Sequence, residues 1–219
     1  MELIFQEEDF LVKTLATHDE LEAAFRLRHE VFCEELNWVP SSPDGMESDR
    51  YDEIAQNIGV FDGYAGLVGY VRLITAPKPF MIEKEFACLL PEDRPVRKSL
   101  DTAEVTRLCV KKEARHFGSN LNASQVLYKG IYQWSLDCGI RHLVMVVEKK
   151  YYRLLRLNGF PVRSAGDFLP MGDGVKAGII TLDWRSFEEE NRTRKPGLLE
   201  WISKRSDFAP SRLLRHGSY

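Results

Sequence analysis

The sequence predicts a single α/β domain in which one mixed β-sheet is flanked by helices. Three observations lead there. Strand-like and helix-like segments alternate along 219 residues, with no internal repeat, low-complexity tract or linker between them. The run His142–Val147 (HLVMVV) is almost continuously apolar, as suits a strand covered on both faces. Hydrophobic residues make up 44% of the chain, enough to fill one large core.

Phe10–Ala16 reads as an opening strand. Thr17 stands three residues before Glu20 in a capping-box pattern, and Leu21, Phe25, Arg28, Val31, Phe32 and Leu36 recur at helical spacing. A helix from His18 to Leu36 is expected. Asn37–Asp52 (NWVPSSPDGMESDRYD) holds two prolines, a Pro-Asp-Gly turn and several acids, so it forms no regular element. Its length marks a candidate functional or mobile loop. Strands follow at Asn57–Phe61, Gly66–Ile74 and Ala103–Val110, with an Asp62-Gly63 turn between the first two. Lys78–Leu100 is irregular, with FACLL as a short helix. Asn120–Asp137 carries Leu121, Val126, Leu127, Ile131, Trp134 and Leu136 at helical spacing and is stopped by Gly139. After HLVMVV comes a short helix in KYYRLLRLNGF, with Gly159 as a left-handed cap, and then a final strand in AGIITLDW. The domain is read as Met1–Trp184. Arg185–Tyr219 is a charged extension of it, with one helix at Pro196–Arg205.

Thirty Lys and Arg against 33 Asp and Glu give a net charge of -3, so no basic field recruits nucleic acid or an anionic membrane. Cys33, Cys88, Cys109 and Cys138 are scattered without a CxxC pair or nearby histidines, which disfavours a disulfide framework and a metal site. The N-terminal MELIFQEEDF is acidic where a signal peptide is basic, and no apolar stretch approaches the ~18 residues of a membrane span. A cytoplasmic protein without a membrane partner is expected.

Several charged residues sit where charge is costly. Arg72, inside the strand GYVRLI, must be paired, face a cleft, or point to solvent between Val71 and Leu73. Asp49 and Asp52 in DRYD and Arg28 on the first helix are candidate partners. In EVTRLCV, Glu104 and Arg107 would point to opposite faces of a regular strand, so a shared site requires a bulge between them. The turn RHFGSN, with Arg115 and Gly118, partly resembles the R-x-x-G-x-G/A turn with which acetyltransferase-like folds offer backbone N–H groups to a pyrophosphate. Asn120 replaces the last small residue there, and an ordinary helix-initiating turn is the alternative. No Ser-His-Asp pattern, phosphate-binding loop or dinucleotide-binding turn stands out. An enzyme of this kind works by positioning and proton transfer rather than through a covalent nucleophile.

Taken together, LRHEVFCEELNW, GMESDRYD, GYVRLI, PFM and EVTRLCV resemble, in order and approximate spacing, the acyl-homoserine-lactone synthases, the autoinducer synthases of bacterial quorum sensing. DCGIRHLVMVV and YYRLLRLNGF resemble that family's second half, so the likeness runs from about Phe10 to Trp184. It implies an acetyltransferase-like (GNAT-like) fold that joins an acyl thioester to S-adenosylmethionine, a substrate rather than a cofactor. The α-amine attacks the thioester; the methionyl carboxylate then closes the lactone and expels methylthioadenosine. No resident cofactor is implied. The matching positions are Arg28, Phe32, Trp38, Asp49, Asp52, Arg72, Glu104 and Arg107.

On that resemblance Glu104 is the candidate base for the amine, directly or through water, with Arg107 beside it. Arg28, Arg72 and Arg107 pair with Asp49 and Asp52 and leave one guanidinium for the substrate carboxylate, which one being unreadable from the sequence. Phe32 and Trp38 form an aromatic wall for the sulfonium, in a lid over a cationic substrate that orders on binding. The acyl chain is assigned to a tunnel lined by Leu127, Ile131, Met145 and Val147, with Tyr152 and Leu155 nearby. Arg115, Lys149, Lys150, Arg153 and Arg156 offer contacts to the donor, either acyl carrier protein or acyl-coenzyme A. Two other readings stand beside this one: a different N-acyltransferase on the same fold, such as an N-acyl amino acid synthase, and a non-catalytic ligand-binding module.

Overall fold

The computed structural model describes residues 2–64, 66–91, 95–115, 121–172 and 174–205. The strands are β1 (Ile4–Glu7), β2 (Phe10–Thr14), β3 (Gln56–Phe61), β4 (Leu67–Thr75), β5 (Thr102–Val110), β6 (His142–Glu148), β7 (Arg163–Ser164), β8 (Leu169–Pro170) and β9 (Lys176–Asp183). They form one sheet in the order β1-β2-β3-β4-β5-β6-β9-β7, with β8 also on β9. β1 to β5 run antiparallel to one another, β6 joins β5 in parallel, and β9 returns antiparallel to β6. The helices are α1 (His18–Arg28), α2 (Ala123–Asp137), α3 (Lys149–Leu157), α4 (Trp184–Arg194) and α5 (Pro196–Ser203).

The period of two along each strand sorts side chains onto two faces. Val71 and Leu73 of β4, Ala103 and Val105 of β5, and Leu143 and Met145 of β6 enter one core with Val126, Leu127, Ile131 and Trp134 of α2. Their neighbours point the other way, where two separate clusters cover the sheet. Tyr70 and Cys109 pack under α1 with Ala24, Leu27 and Phe32. Ile74 and Val144 pack with Phe80, Ile82 and Leu89 from the irregular segment between β4 and β5. The buried Arg28, Glu47, Arg72 and Glu104 lie along the seam between these two clusters.

Several elements differ from the sequence reading. β1 was not anticipated, because IFQE is short and half polar, yet it pairs with β2 from Ile4↔Lys13 to Glu7↔Phe10. Thr17 and Glu20 do form the capping box of α1, but the helix does not run regularly to Leu36: His29–Glu35 is π-helical. π segments mark functional sites more often than ordinary helix does, and this one carries Phe32. α2 begins at Ala123, and Asn122 caps it in a capping box with Gln125. Arg185–Arg194 is helical as part of α4, whose Trp184 and Phe187 join the α2 core, as does Ile202 of α5. On the outer side of α2 the fully buried Lys129 donates to Glu7 of β1 at 2.6 Å, and Trp201 of α5 donates its indole N–H to the same carboxylate at 3.1 Å. No helix among the described residues is long and apolar enough to cross a membrane.

Candidate active site

Three arginines meet three carboxylates in the seam. Arg28, with no exposed surface, donates from Nε to Glu47 and from Nη1 to Asp52, both at 2.6 Å. Arg72 is equally buried: Nε donates to Thr106 Oγ1 at 2.9 Å, and Nη1 bridges Asp49 and Asp52 at 2.6 and 2.7 Å. Arg107 donates to Glu47 from Nε at 3.0 Å and from Nη2 at 2.8 Å, and to Asp49 at 3.0 Å. Burial pushes Glu47 and Asp49 upward, but hydrogen bonds from Arg107 and Arg28 in one case and Arg72 in the other outweigh it and hold both below the usual carboxylate range. The same partners keep Arg28 and Arg72 above the ordinary arginine value despite their burial.

Local backbone bonds aim these acids. Glu47 N–H donates to Phe25 C=O at 3.0 Å, laying the loop along α1. Asp52 accepts from the Asp49 N–H at 2.7 Å while Asp49 accepts from the Tyr51 N–H at 2.8 Å, a self-bonded turn that directs both carboxylates inward. The segment expected to order only on binding substrate is therefore pinned along Glu47–Asp52, because two fully buried guanidiniums and a third, partly buried one are paired with its carboxylates.

Glu104 and Arg107 share the seam because β5 is bulged. Tyr70 pairs with Cys109 and Arg72 with Thr106, so Val71 alone opposes Arg107 and Leu108. Arg107 takes the left-handed backbone conformation, φ 53°, that closes such a bulge. The parity of β5 flips there: Glu104 and Thr106 face the seam before the bulge, Arg107 and Cys109 after it. Glu104 is 1% exposed and accepts from the Met81 N–H at 2.5 Å and the Ile82 N–H at 2.8 Å. Burial raises its carboxyl to about 7 against the opposing pull of those two N–H bonds and of Arg72. The Met81 sulfur lies 3.4 Å from Arg72 Nη2 and 3.5 Å from Arg107 Nη1, so Met81, whose N–H holds the titrating carboxyl, also touches two of the arginines.

Phe32 is buried with its ring 5.7 Å from the Arg107 guanidinium. Trp38 stands beside it, ring centroids 6.3 Å apart and planes 30° from parallel, and is 48% exposed. Trp38 is no core residue: an open aromatic face next to a buried one suits stacking of a ligand.

On the opposite face lies an apolar cavity. β5 and β6 pair only over Thr102–Glu104 and His142–Val144 and part beyond them. Just past the split, Val105, Leu108 and Met145, with Tyr128, Ile131, Tyr151, Leu155 and Trp184 among others, line a partly open cavity of about 30 Å³.

A family model described as autoinducer synthase matches residues 12–193. The chain belongs to the autoinducer synthase family. Among its relatives, the acyl-homoserine-lactone synthase of Rhizobium radiobacter is 31% identical over 174 residues, covering 77% of this chain and 81% of the relative. The solved structure of a CoA-dependent acyl-homoserine lactone synthase, BjaI, with SAM and isopentyl-CoA superposes at a TM-score of 0.69 with 26% identity, covering 87% of each chain. FeeM, an N-acyl amino acid synthase from uncultured soil microbes, shares the fold at a TM-score of 0.62 and 16% identity, covering 83% of this chain and 93% of that one.

In this autoinducer synthase, Arg28, Phe32, Trp38, Asp49, Asp52, Arg72, Glu104 and Arg107 converge within one seam. Sequence reasoning passed over Glu47, although it stands in the same MESDRYD stretch; three arginines against two noted acids was the signal that a third was required. Of the acyl-chain residues, Ile131, Met145 and Leu155 line the synthase's cavity. Leu127 is buried in the surrounding core, and Val147 lies further along β6 than the cavity reaches. Tyr152 turns instead to an outer groove with Arg156, Arg163 and Arg194, while its neighbour Tyr151 takes the wall position. Arg115 does not stand free for a phosphate: its guanidinium clasps Glu35 at 2.5 and 2.8 Å and donates to Val110 C=O. Gly118 lies outside the described residues.

Proposed function

We propose that this synthase acylates the α-amine of S-adenosylmethionine from an acyl thioester and closes the product to an acyl-homoserine lactone, with Glu104 as proton acceptor. The observation that carries the role of Glu104 is a buried carboxyl raised to about 7 beside the arginine network. An α-ammonium titrates near 8, so transfer to such a carboxyl, directly or through water, costs only about 1 to 2 kcal/mol. The freed nitrogen bonds to the thioester carbonyl carbon, and the carbon–sulfur bond breaks to release the donor thiolate. The methionyl carboxylate then bonds to its own γ-carbon, whose bond to the sulfonium breaks; neutral methylthioadenosine leaves. Both new bonds form within the substrates, so the protein supplies no nucleophile and no resident cofactor.

Arg107 is the arginine assigned to the substrate carboxylate, because its side chain keeps 13% exposure while Arg28 and Arg72 are fully enclosed. Arg28 and Arg72 hold Asp49 and Asp52 in place. Phe32 and Trp38 take the adenosyl and sulfonium groups, an attraction of ~0.5–2 kcal/mol. The thioester enters through the β5–β6 split, which connects the charged seam with the apolar cavity. Carrier protein and coenzyme A both remain donors within this reading, and both substrates place the enzyme in the cytoplasm.

Mass spectrometry of cells expressing the chain, beside cells expressing Glu104→Gln, tests it. A homoserine-lactone fragment that depends on the intact protein is the expected result. An N-acyl amino acid without lactone would transfer the reading to the FeeM-like alternative, and ligand binding without methylthioadenosine release would leave a binding module.

A further inference from the structure

From the cavity at the β5–β6 split we infer that this synthase is specific for short acyl chains of about four to six carbons, a preference that rests on the lactone-synthase reading. The partly open space is about 30 Å³, whereas an apolar cavity that admits benzene measures about 150 Å³. With the carbonyl held at the split, only the last few carbons of a chain enter.

The floor is a block of packed rings. Tyr128 lies 5.1 Å from Phe160, Phe160 stacks 5.3 Å from Phe187, and Trp184 meets Phe187 at 5.5 Å and Tyr132 at 5.0 Å. Admitting a longer tail means displacing several of these rings together, because each is another's wall. The side walls are tied as well. Tyr128 of α2 and Tyr151 of α3 share a hydrogen bond at 2.7 Å, which fixes the two helices on either side of the space. In that bond one hydroxyl donates and the other accepts; the rest of the lining that the tail meets is ring and aliphatic carbon and one indole.

Among the aliphatic residues of the wall, Ile131 of α2, Met145 of β6 and Leu155 of α3 are assigned as specificity-determining residues, one from each element beside the space. Each side chain can be shortened without removing a ring of the floor.

The test is a competition in which purified protein and S-adenosylmethionine meet equimolar four-, six-, eight- and twelve-carbon acyl thioesters. Coenzyme A and carrier-protein thioesters are supplied in parallel, so that donor choice cannot mask chain choice. Expected are four- and six-carbon lactones, with kcat/KM falling about tenfold or more for each methylene beyond the space. Leu155→Ala, which removes an isopropyl group from the wall, is expected to shift the optimum toward eight carbons; Met145→Ala serves where Leu155→Ala lowers the yield of folded protein. Twelve-carbon lactone formed by the unaltered protein as readily as the four-carbon one would overturn the preference and leave the synthase reading standing. Lactone from none of the donors, with S-adenosylmethionine bound, would overturn the synthase reading and the preference with it.

Discussion

The two faces of the β4–β5–β6 region solve opposite problems with the same strands. Toward α1 the sheet holds three arginines, three carboxylates and a titrating glutamate; toward α2 it holds aromatic and aliphatic side chains around a small dry space. The charged face recognises by pairing, which demands particular residue types at particular places. The apolar face recognises by volume, which many residue combinations can supply. One strand register serves both, and the bulge at Arg107 is what lets Glu104 and Arg107 stand on one side while Val105 and Leu108 line the other.

The sharpest way to break this contrast is Glu104→Gln. Turnover should fall by about 10²- to 10⁴-fold while circular dichroism stays that of the folded protein, since the amide keeps the shape but accepts no proton; turnover within a few-fold of the unaltered enzyme would remove Glu104 from its role. Arg28→Ala should destabilise the fold by about 3–5 kcal/mol in denaturant melts, because Glu47 and Asp52 lose a fully buried partner. A cost below about 1 kcal/mol would mean that water reaches the seam.

Acid and base should separate the faces further. Glu104 has its carboxyl raised to about 7 when folded, so its contribution is complete below its unfolded value and is lost as pH rises through 7. By linkage the loss amounts to about 3 kcal/mol. Glu104→Gln should therefore gain stability over the parent at pH 8.5 and lose that advantage at pH 5, in the same window where activity climbs. Glu47 and Asp49 have the opposite sign: their lowered values stabilise above the ordinary carboxylate range, and that support fades as pH falls through their folded values. Hydrogen exchange at low pH should thus rise along residues 45–52 before it rises in β9 and α4, and simultaneous loosening would contradict the division. The smallest effect is expected for Trp38→Ala, a weakening of S-adenosylmethionine binding by ~0.5–2 kcal/mol with kcat nearly unchanged.

How much was legible follows the same division. Arg72 stood out because a charge inside GYVRLI has few places to go, and the need for a bulge between Glu104 and Arg107 follows from strand periodicity alone. Both features are local rules meeting a costly residue. Glu47 escaped because its meaning lies in a tally across segments that only the fold brings together. The acyl wall was half legible: Ile131, Met145 and Leu155 were readable from neighbouring elements, but the choice of Tyr151 over Tyr152 depends on how α3 rolls against β6, an angle no short-range pattern encodes. The π-helical turn at His29–Glu35 was equally hidden, since its residues carry an ordinary helical periodicity and tertiary contacts set the wider winding.

The carboxylate of Glu7 receives both Lys129 from α2 and the indole of Trp201, a residue 194 positions later. During synthesis the N-terminal strand emerges first and α2 much later, and the tryptophan that completes the clasp appears only when nearly all of the sheet already exists. The ammonium on α2 must therefore pass through a period with one of its aromatic neighbours still inside the ribosome. Among the described elements, α5 therefore closes the clasp on β1 only after Trp201 has been made.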